Sequence, residues 1–136
     1  MTLFDLRTMA QCVHALAPNY TARSIAPSTF PEIMEAPGIV WDGASDATIW
    51  GDAHTNHAFR AWHDACHIAG QFDFTLAGEI ATCEAQKKTL LRFAPRAPAW
   101  ALRLLDAEIT GQALHYAQHG AFPLDQRRFV LERLAP

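Results

Sequence analysis

Residues 55–81 read TNHAFRAWHDACHIAGQFDFTLAGEIA and contain two helix patterns separated by a stop signal. Apolar residues recur at helical spacing over residues 55–69, and Gly70 is typical of the residue that ends a helix. Thr75 follows a four-residue loop and predicts the N-cap of a second helix that runs to about Phe93. This region therefore predicts two helices that fold back on one another.

Three further helices are predicted outside this hairpin, because apolar periodicity recurs between proline and glycine breakers. They cover residues 3–16, 99–119 and 123–134. Four prolines make residues 18–38 an expected irregular segment. Two β-favouring runs around Asp42-Gly43 predict a short β-hairpin near residues 39–50. The expected fold is mainly α, a small bundle of about five helices.

Composition restricts the class of protein. The chain has 136 residues, which fits a single domain spanning 1–136, and 50% of its residues are hydrophobic. It contains no apolar run of the roughly 20 residues that a membrane span needs, and no signal-peptide pattern, so we expect a cytoplasmic protein. The three cysteines have no C-x-x-C spacing and are expected to be reduced thiols.

Charge is distributed unevenly along the chain. Residues 1–86 carry 3 basic and 10 acidic side chains, whereas residues 87–136 carry 8 basic and 4 acidic ones. The net charge of −3 argues against binding to duplex nucleic acid, which requires a basic excess. A small-molecule substrate, anionic if it contacts the basic C-terminal part, is the expected partner. The sequence leaves oligomerisation open.

The spacing of two histidines predicts a metal-binding site. His63 and His67 are four residues apart, so on a helix their imidazoles lie on one face and can share a metal ion. Glu79 falls one turn into the next helix, where it can face the pair. Two histidines and one carboxylate leave positions for water or substrate, which is typical of a catalytic site. The alternative is that both histidines are hydrogen-bonded core residues.

The predicted cofactor is one divalent metal ion, with zinc favoured and iron or manganese as alternatives. Asp64 is a candidate metal ligand and a candidate catalytic residue, either bound to the ion or orienting a histidine. A surface pair between Asp64 and Arg60, four residues before it, is the competing interpretation.

The long helix over residues 99–119 carries a second polar stripe. Its members are Glu108, Gln112, His115 and His119. Glu108 and His115 are the candidates for a general acid or base, provided that this stripe forms a wall of the site. A solvated helix face would show the same pattern.

The pattern His63-Asp64-x-x-His67, followed by eleven residues and Glu79, resembles the H-D-x-x-H-(x11)-E signature of the Coq4 family. The similarity covers about residues 62–81. It implies a helical fold and a divalent metal bound by His63, Asp64, His67 and Glu79. It also implies a role on the quinone head group in ubiquinone biosynthesis. In its overall character the chain further resembles short phage-type proteins.

Two other functions compete with a metal enzyme of this kind. In an HD-type nucleotide phosphohydrolase, His14 or His54 would join His63-Asp64 and Asp106 around the metal. In a non-catalytic binding protein, such as a phage-type inhibitor, a structural metal would only hold the helices together.

Overall fold

A computed structural model describes residues 3–136 of the chain and contains six helices and two short strands. The fifth helix has three consecutive parts, an α-helical part, a π-helical turn and a second α-helical part. The helices are α1 (Leu6–Leu16), α2 (Phe30–Glu35), α3 (Ala53–Gly70), α4 (Leu76–Phe93), α5 (Ala99–Leu105, Asp106–Gly111 and Gln112–His119) and α6 (Gln126–Leu134). The strands are β1 (Thr21–Arg23) and β2 (Ile39–Trp41). The predicted mainly helical fold is confirmed.

Side-chain caps explain where several helices begin. The Asp5 carboxylate accepts from the Thr8 N–H at the start of α1, and Asp52 accepts from the Thr55 N–H at the start of α3. The predicted N-cap of α4 is confirmed. The last helix begins at Gln126 rather than at residue 123, because the side chain of Asp125 forms its N-cap.

The segment over residues 18–38 is more ordered than predicted, and the expected hairpin near residues 39–50 is wrong. Strand β1 and helix α2 lie within the segment. Strand β2 pairs in parallel with β1, and Thr21 lies opposite Ile39. The chain between these two strands contains α2 and forms a short crossover connection. The Asp42-Gly43 turn signal does lie just after β2, but the run after it forms turns that pack against α3 rather than a second strand.

The core lies where α1, α3, α4, α5 and α6 meet. Helices α1 and α3 pack on one another, and α4 packs against both α3 and the π turn of α5. The side chains that fill this core are fully or nearly fully buried. They include Met9 and Val13 from α1, Phe59 and Trp62 from α3, Leu90 from α4, Leu104 and Leu105 from α5, and Val130 from α6. Across residues 3–136, no helix has the length and apolar character needed to cross a membrane.

Candidate metal centre

Three side chains converge where α3 meets the first turn of α4. One potential ligand atom from each of His63, His67 and Glu79 lies within 4.8 Å of the other two. The His63 Nε2 and His67 Nε2 atoms are 3.0 Å apart, and they lie 3.0 and 3.2 Å from Glu79 Oε2. The prediction that these three residues come together is confirmed, and they form a group that could hold a metal ion.

The other ring nitrogen of each histidine is already engaged. His67 Nδ1 lies 2.8 Å from the carbonyl oxygen of Phe72, which can only accept, so Nδ1 carries the proton. His63 Nδ1 donates to Gln86 Oε1 at 2.6 Å in the assigned amide orientation. In the neutral imidazoles, both Nε2 atoms therefore present lone pairs to each other and to a carboxylate oxygen. Three acceptors this close together need positive charge among them, which either a metal ion or a proton on one Nε2 atom supplies.

The electrostatics of the group agree with this requirement. Burial alone would raise the pKa of Glu79, but hydrogen bonds with His63 and His67 outweigh burial and lower this pKa to about 2. Burial alone would lower the pKa of His63, but the adjacent Glu79 carboxylate outweighs burial and raises it. The carboxylate is thus ionised at neutral pH and attracts positive charge to the Nε2 atoms.

The turn between α3 and α4 aims these side chains. Gln71, rather than the predicted Gly70, adopts the left-handed conformation that ends α3, with φ of 55°. Gly70 is required for a different reason, since a Cβ there would lie 2.1 Å from the Phe72 ring. A Cβ on Gly78 would lie 2.1 Å from the Asp73 carbonyl oxygen. Gly78 therefore allows the backbone of the loop to lie against the first turn of α4.

The metal-binding group opens onto a cavity of about 1310 Å³. His67 is fully buried at the base, whereas the side chains of His63 and Glu79 are about one fifth exposed. Apolar side chains make up much of the wall, and several polar ones interrupt it. The wall includes Val40, Trp41, Phe59, Phe74, Ile109, Tyr116 and Leu124, together with Asn56, Arg60, Asp64, Glu108 and Gln112.

Asp64 lines this cavity but is not a member of the group of three. Burial raises the pKa of its carboxyl group against the opposing charges of His63 and His67. Arg60 does not form the expected surface pair with it. The Arg60 guanidinium donates instead to the carbonyl oxygens of Trp41 at 2.5 Å and Gly43 at 2.7 Å. Arg60 thus fastens the segment after β2 to α3, and the role of Asp64 stays a prediction.

Glu108 lies in the wall of the same cavity, as one of the two sequence interpretations expected. Its side chain belongs to the π turn and only 9% of the residue is exposed. Burial raises the pKa of Glu108 to about 8, although Gln112, His63 and Arg60 act in the opposite direction. Its carboxyl group is therefore protonated near neutral pH.

His115 does not join Glu108, so the predicted stripe divides between two faces. His115 Nδ1 donates to the Ala121 carbonyl oxygen at 2.9 Å, and its ring packs against His119 and Phe129 beside a separate depression. In a regular α-helix, residues seven apart share a face. A π turn takes more residues per turn and rotates the residues after it about the helix axis, so His115 points away from the site.

The histidines and aspartate required by an HD-type site are not brought together either. His14 donates to Thr55 Oγ1 at 3.0 Å and packs against the His54 ring, which contacts Tyr20. Asp106 forms an ion pair with Lys87 at 2.8 Å. Among residues 3–136, the single group of three potential ligands is the one on α3 and α4.

Sequence reasoning missed the residues that orient the two histidines. Gln86 and Thr82 are fully buried on α4, seven and three residues after Glu79, and therefore on its face. Thr82 Oγ1 lies 3.1 Å from His67 Nδ1 and donates to the Gly78 carbonyl oxygen. The sequence did contain a signal for Thr82 and Gln86, because they are polar residues on a helix face that otherwise points into the core. It contained no signal for the Phe72 carbonyl group, because a backbone atom is present at every residue.

Comparisons with known proteins identify no relative of this chain. No family model, no curated protein and no solved structure matches it. The resemblance to the Coq4 family therefore rests on the local motif, and the function is inferred from the geometry of the site.

Proposed function

We propose that this chain is a metal-dependent enzyme that binds one divalent ion through His63, His67 and Glu79 and acts on a small molecule held in the adjacent cavity. The observation that carries the proposal is the convergence of two Nε2 atoms and a carboxylate oxygen at 3.0 to 3.2 Å. The partners of the two Nδ1 atoms leave both Nε2 atoms available as metal ligands.

Zinc fits this ligand set best. Ligand atoms about 2.0 to 2.1 Å from a tetrahedral ion are roughly 3.3 Å apart, close to the separations found here. Two imidazoles favour zinc or iron over magnesium and calcium, which prefer oxygen ligands throughout. Three protein ligands leave one tetrahedral position for water or substrate, as in catalytic rather than structural zinc sites.

The residues around the ion have separable roles in this proposal. A zinc ion held by His63, His67 and Glu79 would supply Lewis acidity to water or to a substrate oxygen, which would support hydrolase or lyase chemistry. Gln86 and the Phe72 carbonyl group hold the imidazoles in the tautomer that binds metal. Glu108, whose carboxyl group is protonated near neutral pH, offers a proton or a hydrogen bond to substrate. Asp64 is the remaining carboxyl group for proton exchange.

The cavity favours an enzyme over a protein with a purely structural metal. A structural ion is enclosed by four protein ligands, whereas this group offers three and adjoins a cavity large enough for a small organic molecule. If the bound element proved to be iron, the same two histidines and one carboxylate would support oxygen-dependent decarboxylation or hydroxylation.

The test is the metal content and zinc affinity of tag-free protein, measured by elemental mass spectrometry and chelator competition. Glu79→Gln and His63→Asn change two ligands that are partly exposed, so the fold is expected to survive. His57→Asn is the matched control, because His57 lies on α3 but contacts the Asp42 carbonyl group away from the site. Circular dichroism verifies that each variant is folded.

We expect about one equivalent of metal in the wild-type and His57→Asn proteins. Each ligand variant is expected to lose at least 100-fold in zinc affinity, because it removes one of three ligands. Failure of folded wild-type protein to bind zinc, manganese or anaerobic ferrous ion would refute the proposal. A proton shared by the three side chains would then be the cation that the geometry requires.

A further inference from the structure

Two polar side chains on α5 are buried in the cavity wall, and each has one buried polar atom without a hydrogen-bond partner. Only 9% of Glu108 and 5% of Gln112 are exposed. Within residues 3–136, neither Glu108 Oε2 nor Gln112 Nε2 has a hydrogen-bond partner. Buried polar atoms in folded proteins almost always have a hydrogen-bond partner, because an unpaired one loses its hydrogen bonds to water and gains none in the protein. The two side chains, four residues apart, are close enough for Gln112 to lower the pKa of Glu108, but their geometry leaves these two atoms unpaired.

The backbone at this point is also unusual. Glu108 lies within the π turn Asp106–Gly111, and Gln112 follows that turn directly. Single π turns are rare and often occur at functional sites, where they redirect a side chain. Here the turn directs Glu108 and Gln112 to the cavity and His115 away from it. The backbone irregularity and the unpaired polar atoms thus point to the same wall of the cavity.

We propose that Glu108 and Gln112 form a recognition subsite for a neutral cis-amide edge, a carbonyl group and an N–H on the same side of a small ring. A neutral carboxyl group has one donor and one acceptor side by side, which matches such an edge with two hydrogen bonds. The Gln112 amide adds a donor to the ligand carbonyl oxygen. The terminal torsions of Glu and Gln are soft, so either polar atom of each group can turn to the cavity.

The surroundings favour a neutral ring over a charged ligand. Phe59 and Ile109 supply apolar surface in the same wall. Arg60, the one arginine or lysine among the residues of 3–136 that line this cavity, has its guanidinium engaged by the carbonyl groups of Trp41 and Gly43. The class of ligand is therefore a lactam, a cyclic imide or a ring with an equivalent edge. This inference deepens the proposed function, on which its catalytic meaning rests.

The test compares δ-valerolactam with 1-methyl-2-piperidone, which has the same carbonyl group and ring but no N–H. Binding is followed by the ¹⁵N shifts of the Gln112 side-chain amide, assigned by its disappearance in Gln112→Leu. The variants are Glu108→Leu, Glu108→Gln and Gln112→Leu. Gln118→Leu is the control, because Gln118 is exposed on the same helix and lines neither cavity. Metal-free and zinc-loaded proteins are both titrated.

We expect δ-valerolactam to bind about tenfold more tightly than its N-methyl analogue, which leaves the carboxyl group unpaired. Glu108→Leu and Gln112→Leu are expected to abolish this preference, as read from the shifts of backbone amides in the wall. Glu108→Gln, which keeps a donor and an acceptor without a charge, is expected to retain it within about threefold. A glutamate that acted as an anion would lose its function in Glu108→Gln.

Equal affinities for the two ring compounds would overturn the inference, as would a preference that survives both leucine variants. The two proposals fail separately. A protein that binds no metal but still prefers the lactam refutes the metal centre alone. A protein that binds zinc but makes no distinction between the ring compounds refutes the subsite alone.

Discussion

Replacement of Glu108 by glutamine is expected to remove a pH dependence of folding stability. The unfolded carboxyl group has an ordinary pKa of 4.5, whereas burial raises the pKa of the folded group to about 8. Between these values the folded protein holds a proton that the unfolded chain has released, so the free energy of unfolding falls as pH rises. The contribution of protonated Glu108 to the free energy of unfolding is complete below about pH 4.5 and is lost by about pH 8.

The size of the effect is set by the pKa shift. At about 1.4 kcal/mol per pKa unit, the rise from 4.5 to about 8 corresponds to about 5 kcal/mol in total. About 3 to 4 kcal/mol of this is expected between pH 5 and pH 8, a large fraction of the stability of a small domain. Glu108→Gln keeps the shape and the neutral state, so this contribution to the pH slope disappears.

The assay is urea unfolding of metal-free protein at fixed pH values from 5 to 9, for wild type, Glu108→Gln and Glu35→Gln. Glu35 ends α2 on the surface and is the matched control for loss of one carboxylate. We expect Glu35→Gln to follow the wild-type slope and Glu108→Gln to be flatter and more stable at pH 8. Identical slopes for wild type and Glu108→Gln would refute the reasoning, because the carboxyl group would then ionise as readily in the folded protein as in the unfolded chain.

Four further substitutions test how the site is built. Gly78→Ala places a Cβ 2.1 Å from a backbone oxygen, so urea unfolding should show a loss of about 1 to 3 kcal/mol and chelator competition a weaker zinc affinity. Gly111→Ala, whose Cβ meets its nearest neighbour at 3.3 Å, should cost less and leave zinc affinity unchanged. Gln71→Gly should raise stability by about 0.5 to 1 kcal/mol in the same unfolding assay, because φ is 55° there; a loss would mean that the Gln71 side chain contributes more than its backbone costs. Gln86→Leu removes the acceptor of His63 Nδ1 and should lower zinc affinity by about 10- to 100-fold without unfolding the protein; unchanged affinity would show that the tautomer needs no such partner.

The positions of His63, His67 and Glu79 could be predicted because the signals are local. Four residues on a helix form one turn, and the loop between Gly70 and Thr75 is too short for anything but a reversal. The relation between β1 and β2 could not be predicted in the same way. Their parallel pairing depends on contacts across the crossover through α2, and a turn dipeptide reports only on its immediate neighbours.

The two faces of α5 were unpredictable for another reason. Glu108 and His115 share a face only if every residue between them advances by the α-helical angle, and the π turn breaks that condition. The π turn packs against α4 and α6, and a local sequence pattern does not report on such contacts between distant segments. A periodicity calculated from sequence therefore placed His115 in a site from which the structure removes it.

Glu108 also explains why this wall of the cavity differs from the rest of the core. Leu104, Leu105 and Ile109 surround it in sequence and are buried, so an apolar residue at position 108 would continue the packing and remove the cost of ionisation. The chain instead carries a carboxyl group, a rare backbone turn and an unpaired Gln112 amide at this one place. Each of these three features lowers stability, and all of them lie on the wall of one cavity beside the three converging ligand atoms. A ligand that forms hydrogen bonds with Glu108 and Gln112 when it binds would account for them. Stability and recognition are therefore expected to oppose one another at Glu108, whereas at Gly78 they are lost together, because that residue shapes the fold and the metal centre by the same contact.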